Sequence, residues 1–251
     1  MKQIKKVNDY TTLSLVYSHL MRSVDYKSWA RYIHSISKEH LKNNGKVLEL
    51  ASGEGRLAKH LLKYFDEIVV SDISIEMLKV RDDSTSIKVC CDMTSLPFSD
   101  KFDLIICAFD SINYLTSKNK IIKFFSEVRN VMNENSIFTF DASLLNNSTK
   151  GISSANVEGY TKGISYKQVS TFNSKSRIHT NEFTIKDKTG KMTKETHRQK
   201  IYDFDFYIEA AYKSGLYVVE CFEAFTFKEA KYFNERVQFI LRKNNSNAFI
   251  R

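Results

Sequence analysis

Acidic side chains and a glycine-containing turn follow successive apolar segments of this 251-residue chain in a pattern suited to binding a polar organic ligand. Gly53 and Gly55 come after the apolar segment KVLEL, and Glu49 lies inside that segment. Asp72 and Asp92 end the next two apolar segments, EIVVSD and SIKVCCD. A carboxylate at the end of such a segment can accept hydrogen bonds from ribose hydroxyls or from an exocyclic amine. A carboxylate in a buried strand, such as Glu49, requires a cation or hydrogen-bond donors.

The segments that position these residues alternate between strand and helix. Strands KVLEL, EIVVSD, SIKVCCD, KFDLIICAF and SIFTFD alternate with helices GRLAKHLLKYF, SIEMLKVRDD and KNKIIKFFSEVRNVM. Continuous apolar strands are typical of a parallel sheet covered by helices on both faces. The sequence therefore predicts the α/β fold class, with a doubly wound core and a ligand site at the carboxyl ends of the strands.

Additional elements flank this core. Helical spacing in TTLSLVYSHLMRSV and DYKSWARYIHSISKEHLKN predicts two N-terminal helices, the second capped by Asp25. The period-2 segments ISYKQVSTFN, SRIHTNEFTIKD and KMTKETHRQKIY predict an antiparallel insertion, and a helix and a closing hairpin follow it. The predicted parts are a helical cap at 1–44, the core at 45–145 and 201–244, the antiparallel insertion at 146–200 and a frayed tail at 245–251.

Composition excludes several classes of protein. With 42% hydrophobic and 27% charged residues, the chain is neither disordered nor fibrous. It has no long uncharged apolar stretch and no secretory signal, so we expect a cytoplasmic protein without a membrane partner. The net charge of +9 comes from scattered lysines, which favours a solvated surface over a nucleic-acid partner. The histidines and the four cysteines lack metal-ligand spacing, so no metal is expected and the thiols are predicted to be buried.

Five motifs together resemble those of class I S-adenosylmethionine-dependent methyltransferases. They are VLELASGEGR, VVSDISIEML, CCDMTSLPF, FDLIICAFDSINYL and IFTFDAS, and the resemblance spans nearly the whole chain. It is nearest to small-molecule N-methyltransferases of the amino-sugar or glycine type. The resemblance implies a Rossmann-like, mostly parallel seven-stranded sheet with an antiparallel last strand. It also implies S-adenosylmethionine as cofactor, S-adenosylhomocysteine as product and no metal.

The resemblance assigns roles residue by residue. Glu49 would hold the methionine ammonium, and Asp72 would bind the ribose hydroxyls. Asp92 would accept from the adenine amino group, and the Met93 backbone N–H would donate to a ring nitrogen. Met77 would pack on the adenine face, with helix-core packing as the alternative. The other implied cofactor-binding residues are Tyr17, Tyr26, Trp29, Ala51, Gly53, Gly55, Arg56, Ile73, Ala108 and Phe109. For the first three, which are aromatic, plain core packing is an equal alternative.

Some positions depart from the family pattern or from related patterns. Ala51 replaces the first glycine but keeps room for the turn, whereas Ser18 stands where many relatives carry an acid, which puts the contacts of that helix in doubt. A nicotinamide dinucleotide is the alternative cofactor. Its fingerprint requires glycine at the third position, where Arg56 stands, so that alignment fails.

The expected chemistry follows from the cofactor that the resemblance implies. A sulfonium methyl is already activated, so the protein mainly aligns a nucleophile behind it. An amine acceptor must also lose a proton, and His197 is the predicted base, with a surface histidine as the alternative. Tyr114 and Asp110 are the next catalytic candidates. The predicted acceptor is a small molecule with an N or O nucleophile and the expected state is a monomer or homodimer. A nucleic-acid methyltransferase and a non-catalytic cofactor-binding module remain as alternatives.

Overall fold

The computed structural model describes residues 5–6, 10–41, 45–80, 86–150 and 156–244. The predicted frayed tail at 245–251 lies outside the described residues. The helices are α1 (Ser14–Leu20), α2 (Tyr26–Lys38), α3 (Arg56–Leu61), α4 (Ile75–Lys79), α5 (Lys118–Val131), α6 (Leu145–Lys150) and α7 (Phe204–Lys213), with a 3₁₀ turn at Ser111–Tyr114. The strands are β1 (Lys5–Lys6), β2 (Lys46–Leu50), β3 (Glu67–Asp72), β4 (Ile87–Cys90), β5 (Phe102–Cys107), β6 (Met132–Ser143), β7 (Val157–Thr161), β8 (Ile164–Asn173), β9 (Ile178–Lys186), β10 (Met192–Lys200), β11 (Leu216–Glu223) and β12 (Arg236–Lys243).

A seven-stranded sheet in the order β11-β12-β6-β5-β2-β3-β4 forms the centre of the protein. β2 to β6 are parallel, and β12 is antiparallel to both β6 and β11. Alternate residues of β2 belong to two different apolar clusters. Leu48 belongs to the cluster that contains Phe124 of α5, and Val47 belongs to the cluster that contains Trp29 of α2. Helices therefore cover both faces of the sheet, which confirms the predicted doubly wound fold and its antiparallel closing hairpin.

Side-chain caps determine where several helices begin. The Asp25 carboxylate accepts from the Ser28 N–H at 3.0 Å, as predicted, and this satisfies a free donor in the first turn of α2. Ser74 caps α4 in the same way. α4 ends at Lys79, and the last residues of the longer predicted helix, 81–83, lie outside the described residues.

A second sheet, which we call the lid sheet, consists of β1, β10, β9, β8 and β7 in that order. Its strands β7 to β10 are antiparallel neighbours, and β8 has the bounds of the predicted segment. β7 was not predicted, and β1 pairs in parallel with β10. A third apolar cluster packs α1 against this sheet: it includes Leu13, the residue before α1, Val16 of α1, and Tyr166 and Phe183 of the lid sheet.

The cysteines depart in part from their predicted burial. All four, each in a described range, are free, but Cys107 alone is buried. Cys90 is exposed because β4 is the edge strand of the central sheet. Among the described helices, none combines the length and apolar character needed to span a membrane.

Candidate functional site

A cavity of about 850 Å³ lies at the carboxyl ends of the central parallel strands, bounded on its other sides by residues of α1, α2, the lid sheet and the β11–β12 loop. Most of the predicted site residues line it: Tyr17, Tyr26, Trp29, Ala51, Gly53, Arg56, Asp72, Ile73, Met77, Asp92, Met93, Phe109, Asp110 and Tyr114. Glu49, Gly55, Ala108 and His197 lie behind this lining. Tyr26 and Trp29 are also buried in an apolar cluster, so they serve as both core and cavity wall.

The turn after β2 presents bare backbone to the cavity. Gly53 has φ of +57° and Gly55 of +70°, a conformation that glycine adopts without strain. A Cβ placed on Gly53 would lie 3.1 Å from Met77 Cε, whereas one on Gly55 would meet Val70 Cγ1 at 4.0 Å. Ala51 takes a φ of +51° at the start of the same turn. A side chain at position 53 is therefore disfavoured both by the positive φ and by the closeness of Met77.

Asp72 joins the end of β3 to this turn. Its Oδ2 accepts from the Gly53 N–H and its Oδ1 from the Ser74 N–H, each at 2.8 Å. Burial raises the pKa of Asp72, against the lowering effect of these backbone N–H groups. Each carboxylate oxygen has two acceptor sites, so both oxygens can accept a further hydroxyl. The side chain lines the cavity, as ribose binding requires.

Glu49 is buried beneath the turn, with only 2% of its surface exposed. Burial raises its pKa to about 8, which the nearby Asp72 charge reinforces and the Ala58 backbone N–H opposes. Its Oε2 is buried and has no hydrogen-bond partner. A buried polar atom without a partner is uncommon in a folded protein, and a cationic ligand above the turn would favour the ionised carboxylate. The two carboxylate acceptors therefore fit a ligand that combines ribose hydroxyls with an ammonium group.

The cavity rim at the end of β4 carries Asp92 and Met93. Asp92 is exposed, and its Oδ1 accepts from the Thr94 N–H at 2.7 Å and the Thr94 hydroxyl at 2.9 Å. These bonds fix the carboxylate at the rim, next to Ile73, which is 66% exposed. An apolar side chain beside an acceptor at an open rim suits a flat heterocycle with an exocyclic amine.

The first helix is fastened to the glycine turn through Ser18. Its hydroxyl donates to the two oxygens of Glu54 at 2.6 and 2.8 Å. The Arg56 guanidinium lies 4.8 Å from the centre of the Tyr26 ring and donates to the Ser18 carbonyl at 3.4 Å. Ser18, where the resemblance predicts an acid, thus bonds to an acid of the turn.

The turn after β5 holds two successive non-glycine residues at positive φ, Phe109 at +60° and Asp110 at +47°. Such conformations are costly for bulky residues and persist where surrounding contacts hold them. Here Asp141 Oδ2 accepts from the Asp110 N–H at 2.8 Å, while Asp110 Oδ2 accepts from Ser143 Oγ at 2.6 Å and from Arg236 Nη2 at 3.2 Å. These contacts hold the strained turn at the cavity wall.

Asp141 and Arg236 form the base of this arrangement. Burial raises the pKa of Asp141 to about 6, opposed by the Arg236 charge, and Asp141 Oδ1 has no hydrogen-bond partner. Arg236 lines the cavity and contacts both acids, yet the sequence analysis did not select it. Its position in the sequence could have identified it as a site residue, because the first residue of an antiparallel last strand lies at the edge where the parallel strands end.

His197 lies in the lid sheet behind the cavity wall. It is 1% exposed, which rules out the alternative of a surface histidine, and its Nε2 is 3.2 Å from Glu195 Oε2. The centre of its ring lies 4.6 Å from the ring centre of Tyr10 and 6.1 Å from that of Tyr114. The Tyr10 hydroxyl donates to that of Tyr114 at 2.9 Å, and both tyrosines line the cavity. The His197 ring therefore packs behind cavity-lining aromatic residues, and its buried Nδ1 has no hydrogen-bond partner among the described residues.

Further lining residues that the sequence analysis missed come from the chain before and within α1, from the lid sheet and from the closing hairpin. They include Tyr10, Leu13, Leu20, Val157, Gln168, Phe183, Gln199, Phe225 and Arg236. Periodicity in the insertion indicated strands but not which of their faces would meet the core. Within the described ranges, no group of three or more His, Cys, Asp or Glu side chains is arranged to hold a metal ion.

Comparison with known proteins agrees with this geometry. A family model described as a methyltransferase domain matches residues 47–135, which contain the glycine turn, Glu49, Asp72 and Asp92. YqeM of Bacillus subtilis (strain 168), named provisionally as a methyltransferase, is 27% identical over 246 residues, covering 94% of this chain and 98% of its own.

Solved structures share the whole fold. An S-adenosylmethionine-dependent methyltransferase from Clostridium acetobutylicum ATCC 824 aligns with a TM-score of 0.78 at 23% identity, covering 93% of this chain and 98% of its own. The sugar N-methyltransferase KedS8 from Streptoalloteichus sp ATCC 53650 aligns with a TM-score of 0.73 at 14% identity, covering 91% and 93%. The family model, the relative and the shared fold agree with the residues at the site: residues 47–135 match a methyltransferase domain, and the chain shares its fold with an S-adenosylmethionine-dependent methyltransferase.

Proposed function

We propose that this protein is an S-adenosylmethionine-dependent methyltransferase that transfers a methyl group to a nitrogen or oxygen nucleophile of a small-molecule acceptor. The observation that carries the proposal is one cavity that joins the acidic edge of the central sheet to the lid sheet. Its volume of about 850 Å³ falls within the range of roughly 300–1,000 Å³ of small-molecule sites. Such a cavity can hold a cofactor at the acidic edge and a small acceptor under the lid.

The proposed cofactor side uses the predicted residues. Asp72 binds the ribose hydroxyls, Asp92 and Met93 bind adenine, and Glu49 favours the methionine ammonium from below the glycine turn. Met77, Ile73, Tyr17 and the backbone of Ala51, Gly53 and Gly55 shape the surface around it, with Arg56, Tyr26, Trp29 and Ala108 behind the methionine tail. The cofactor supplies an electrophilic methyl on sulfur. The protein contributes orientation and exclusion of water.

On the proposed acceptor side, Phe109, Asp110 and Tyr114 border the transferred methyl. Asp110 is already engaged by Arg236 and Ser143, so it orients the acceptor and the turn rather than removing a proton. Tyr114 reaches the cavity and is hydrogen bonded to Tyr10. For an amine acceptor that binds protonated, His197 is the proposed base, and its ring packs against those of Tyr10 and Tyr114.

The segments that enclose the cavity favour a small-molecule acceptor over a nucleic-acid acceptor. The proposed cap at 1–44 and the insertion at 146–200 are joined by the pairing of β1 with β10 and by the apolar cluster between α1 and the lid sheet. A nucleic-acid chain would require an open groove with interleaved basic and aromatic residues. The proposed core at 45–145 and 201–244 provides the cofactor edge.

The experiment is a product assay. The protein is incubated with S-adenosylmethionine and panels of small amines and alcohols, and S-adenosylhomocysteine is quantified. Acceptor-dependent formation is expected from at least one panel, and the Asp72→Asn variant should lose it. Cofactor binding without turnover across both panels would favour a non-catalytic module, and RNA binding with a steep salt dependence would favour the nucleic-acid alternative.

A further inference from the structure

We propose that the acceptor is a largely apolar molecule with a single nucleophilic nitrogen or oxygen, and that its apolar part leaves the cavity past the loop between β11 and β12. This inference rests on the proposed function and narrows it to one acceptor class. It distinguishes the chain from a sugar methyltransferase, which must bind an acceptor with many hydroxyls.

Four apolar residues line the cavity on the side of α1 and the lid sheet. Leu13 and Leu20 line it from the α1 segment, and Val157 and Phe183 line it from β7 and β9. Leu13 and Phe183 are almost fully buried and belong to one apolar cluster. Transfer of an apolar group from water to such a wall is favourable, whereas a hydroxyl placed there loses its hydrogen bonds to water.

The glutamines of the lid sheet are already engaged. Gln168 Nε2 donates to Ser170 Oγ at 3.1 Å and to Asn181 Oδ1 at 3.0 Å. Gln199 Nε2 donates to the Asp110 carbonyl at 3.5 Å. Both donors of Gln168 and one donor of Gln199 are therefore used within the protein. A buried sugar would require a partner for each of its hydroxyls, because every unsatisfied one carries a desolvation cost.

The other polar groups at this end are engaged as well. Arg236 contacts Asp110 and Asp141, and the Tyr10 hydroxyl donates to that of Tyr114. These bonds engage the polar groups beside the tyrosine pair and Asp110, where the nucleophile of the acceptor would sit. The polar groups thus suit an acceptor with one polar end.

Phe225 marks the mouth of the cavity. It lines the cavity and is 49% exposed, so its ring has one side toward the ligand space and one toward solvent. Its φ is +65°, and its ring contacts Trp29 at 4.4 Å and Tyr32 at 5.6 Å between ring centres. A strained aromatic residue held at a cavity mouth points to a function for its position.

Apolar surface continues from Phe225 along the same loop. Phe227 is 66% exposed, Tyr232 77% and Phe233 51%. The Phe227 ring lies 6.1 Å from that of Tyr32, which also contacts Phe225. The apolar surface of the cavity is therefore continuous with exposed aromatic surface outside it, and the apolar part of the acceptor is the occupant that matches both.

The test uses primary alkylamines as acceptor probes on the protein loaded with S-adenosylhomocysteine. The chain has one tryptophan, Trp29, so its intrinsic fluorescence reports on the mouth directly. Affinities are measured for n-butylamine, n-hexylamine, n-octylamine and glucosamine. We expect binding to tighten by up to about fourfold per methylene, which corresponds to roughly 0.8 kcal/mol for each buried CH₂, and glucosamine to bind more weakly than n-octylamine.

Two variants test whether the dependence of affinity on chain length arises at Phe225. Phe225→Asn removes the ring, and asparagine tolerates the positive φ at this position, so the loop is retained. It should flatten the dependence on chain length, while Tyr212→Gln, at an exposed position on α7 away from the cavity, should preserve it. An unchanged slope in Phe225→Asn would overturn the exit route.

The remaining outcomes separate the two proposals. If S-adenosylhomocysteine binds but alkylamine affinity does not depend on chain length, or if glucosamine binds more tightly than n-octylamine, the apolar acceptor is excluded and the proposed function stands. If S-adenosylhomocysteine itself does not bind, both proposals fail.

Discussion

The carboxylate of Asp72 and the backbone N–H of Gly53 are joined by a 2.8 Å hydrogen bond that connects the end of β3 to the turn after β2. The group proposed to bind ribose therefore also holds the bare backbone against which the cofactor would lie. Because Asp72 is 8% exposed, its contacts to the turn are buried, and replacing it affects both ligand and turn.

Asp72→Asn is expected to weaken S-adenosylmethionine binding by about 10- to 100-fold. The amide keeps the shape of the carboxylate but turns one acceptor into a donor, and hydrogen bonds to a charged group contribute roughly 1.5–3 kcal/mol. Titration calorimetry measures the change. Asp100→Asn, which alters an exposed aspartate paired with Lys46, serves as the control and should bind as the parent does. Unchanged affinity in Asp72→Asn would refute the ribose assignment.

A matched pair of glycine variants tests the role of the turn. Gly53→Ala and Gly55→Ala both place alanine at positive φ, which costs about 1–2 kcal/mol of folding stability in each case. The alanine Cβ in Gly53→Ala also comes within 3.1 Å of Met77 Cε at the cavity surface. We expect similar losses of thermal stability but a larger loss of cofactor affinity in Gly53→Ala. Equal affinities in the two variants would show that the ligand does not lie against Gly53.

Glu49 predicts a pH dependence of binding. Its pKa of about 8 means that the carboxyl group is mostly protonated at pH 7 without a ligand. An ammonium group above the turn favours the ionised form, so binding releases a proton and affinity rises with pH up to about 8, by at most about tenfold per pH unit. Calorimetry in two buffers of different ionisation enthalpy measures the released proton.

Glu49→Gln is the control for that experiment. It should bind without proton release and with little dependence on pH. The free energy of unfolding changes with pH in the opposite direction. A carboxyl group whose pKa is raised in the folded state destabilises the fold as pH rises from about 4.5 to 8. The stability of Glu49→Gln relative to the parent should therefore increase over that interval. Identical proton release in parent and variant would assign the proton to another group.

His197→Gln tests the predicted base once an acceptor is found. The variant should lower turnover more than cofactor affinity, because His197 contacts the tyrosine pair and lies away from the acidic edge. His179→Gln changes a half-buried histidine of the neighbouring strand and provides the comparison. Turnover equal to that of the parent across pH would dispose of the base assignment.

The central sheet and its edge could be predicted from the sequence for a physical reason. Strands buried on both faces are continuously apolar, and the residues that follow them must meet at one edge. Asp72, Asp92 and Gly53 were found in this way and all line the cavity. The same reasoning extends to Arg236, whose place in an antiparallel strand puts it at that edge.

The inward face of the lid sheet could not be predicted in this way. On β10 the buried face consists of polar residues, Thr193, Glu195 and His197. Glu195 is paired with a distant segment, since its Oε1 accepts from the backbone N–H groups of Thr12 and Leu13, whereas the buried Nδ1 of His197 has no hydrogen-bond partner within the described ranges. A hydrophobic period contains no information about such pairing, so the depth of His197 and the contribution of the chain before α1 emerge only in three dimensions.

Titration of S-adenosylmethionine into the protein by calorimetry, with NAD as the competitor of a different class, tests the central claim most directly. We expect one S-adenosylmethionine site per chain, no comparable binding of NAD, and the loss of affinity described for Asp72→Asn. No heat of binding at millimolar S-adenosylmethionine, or equal binding of the two nucleotides, would contradict it.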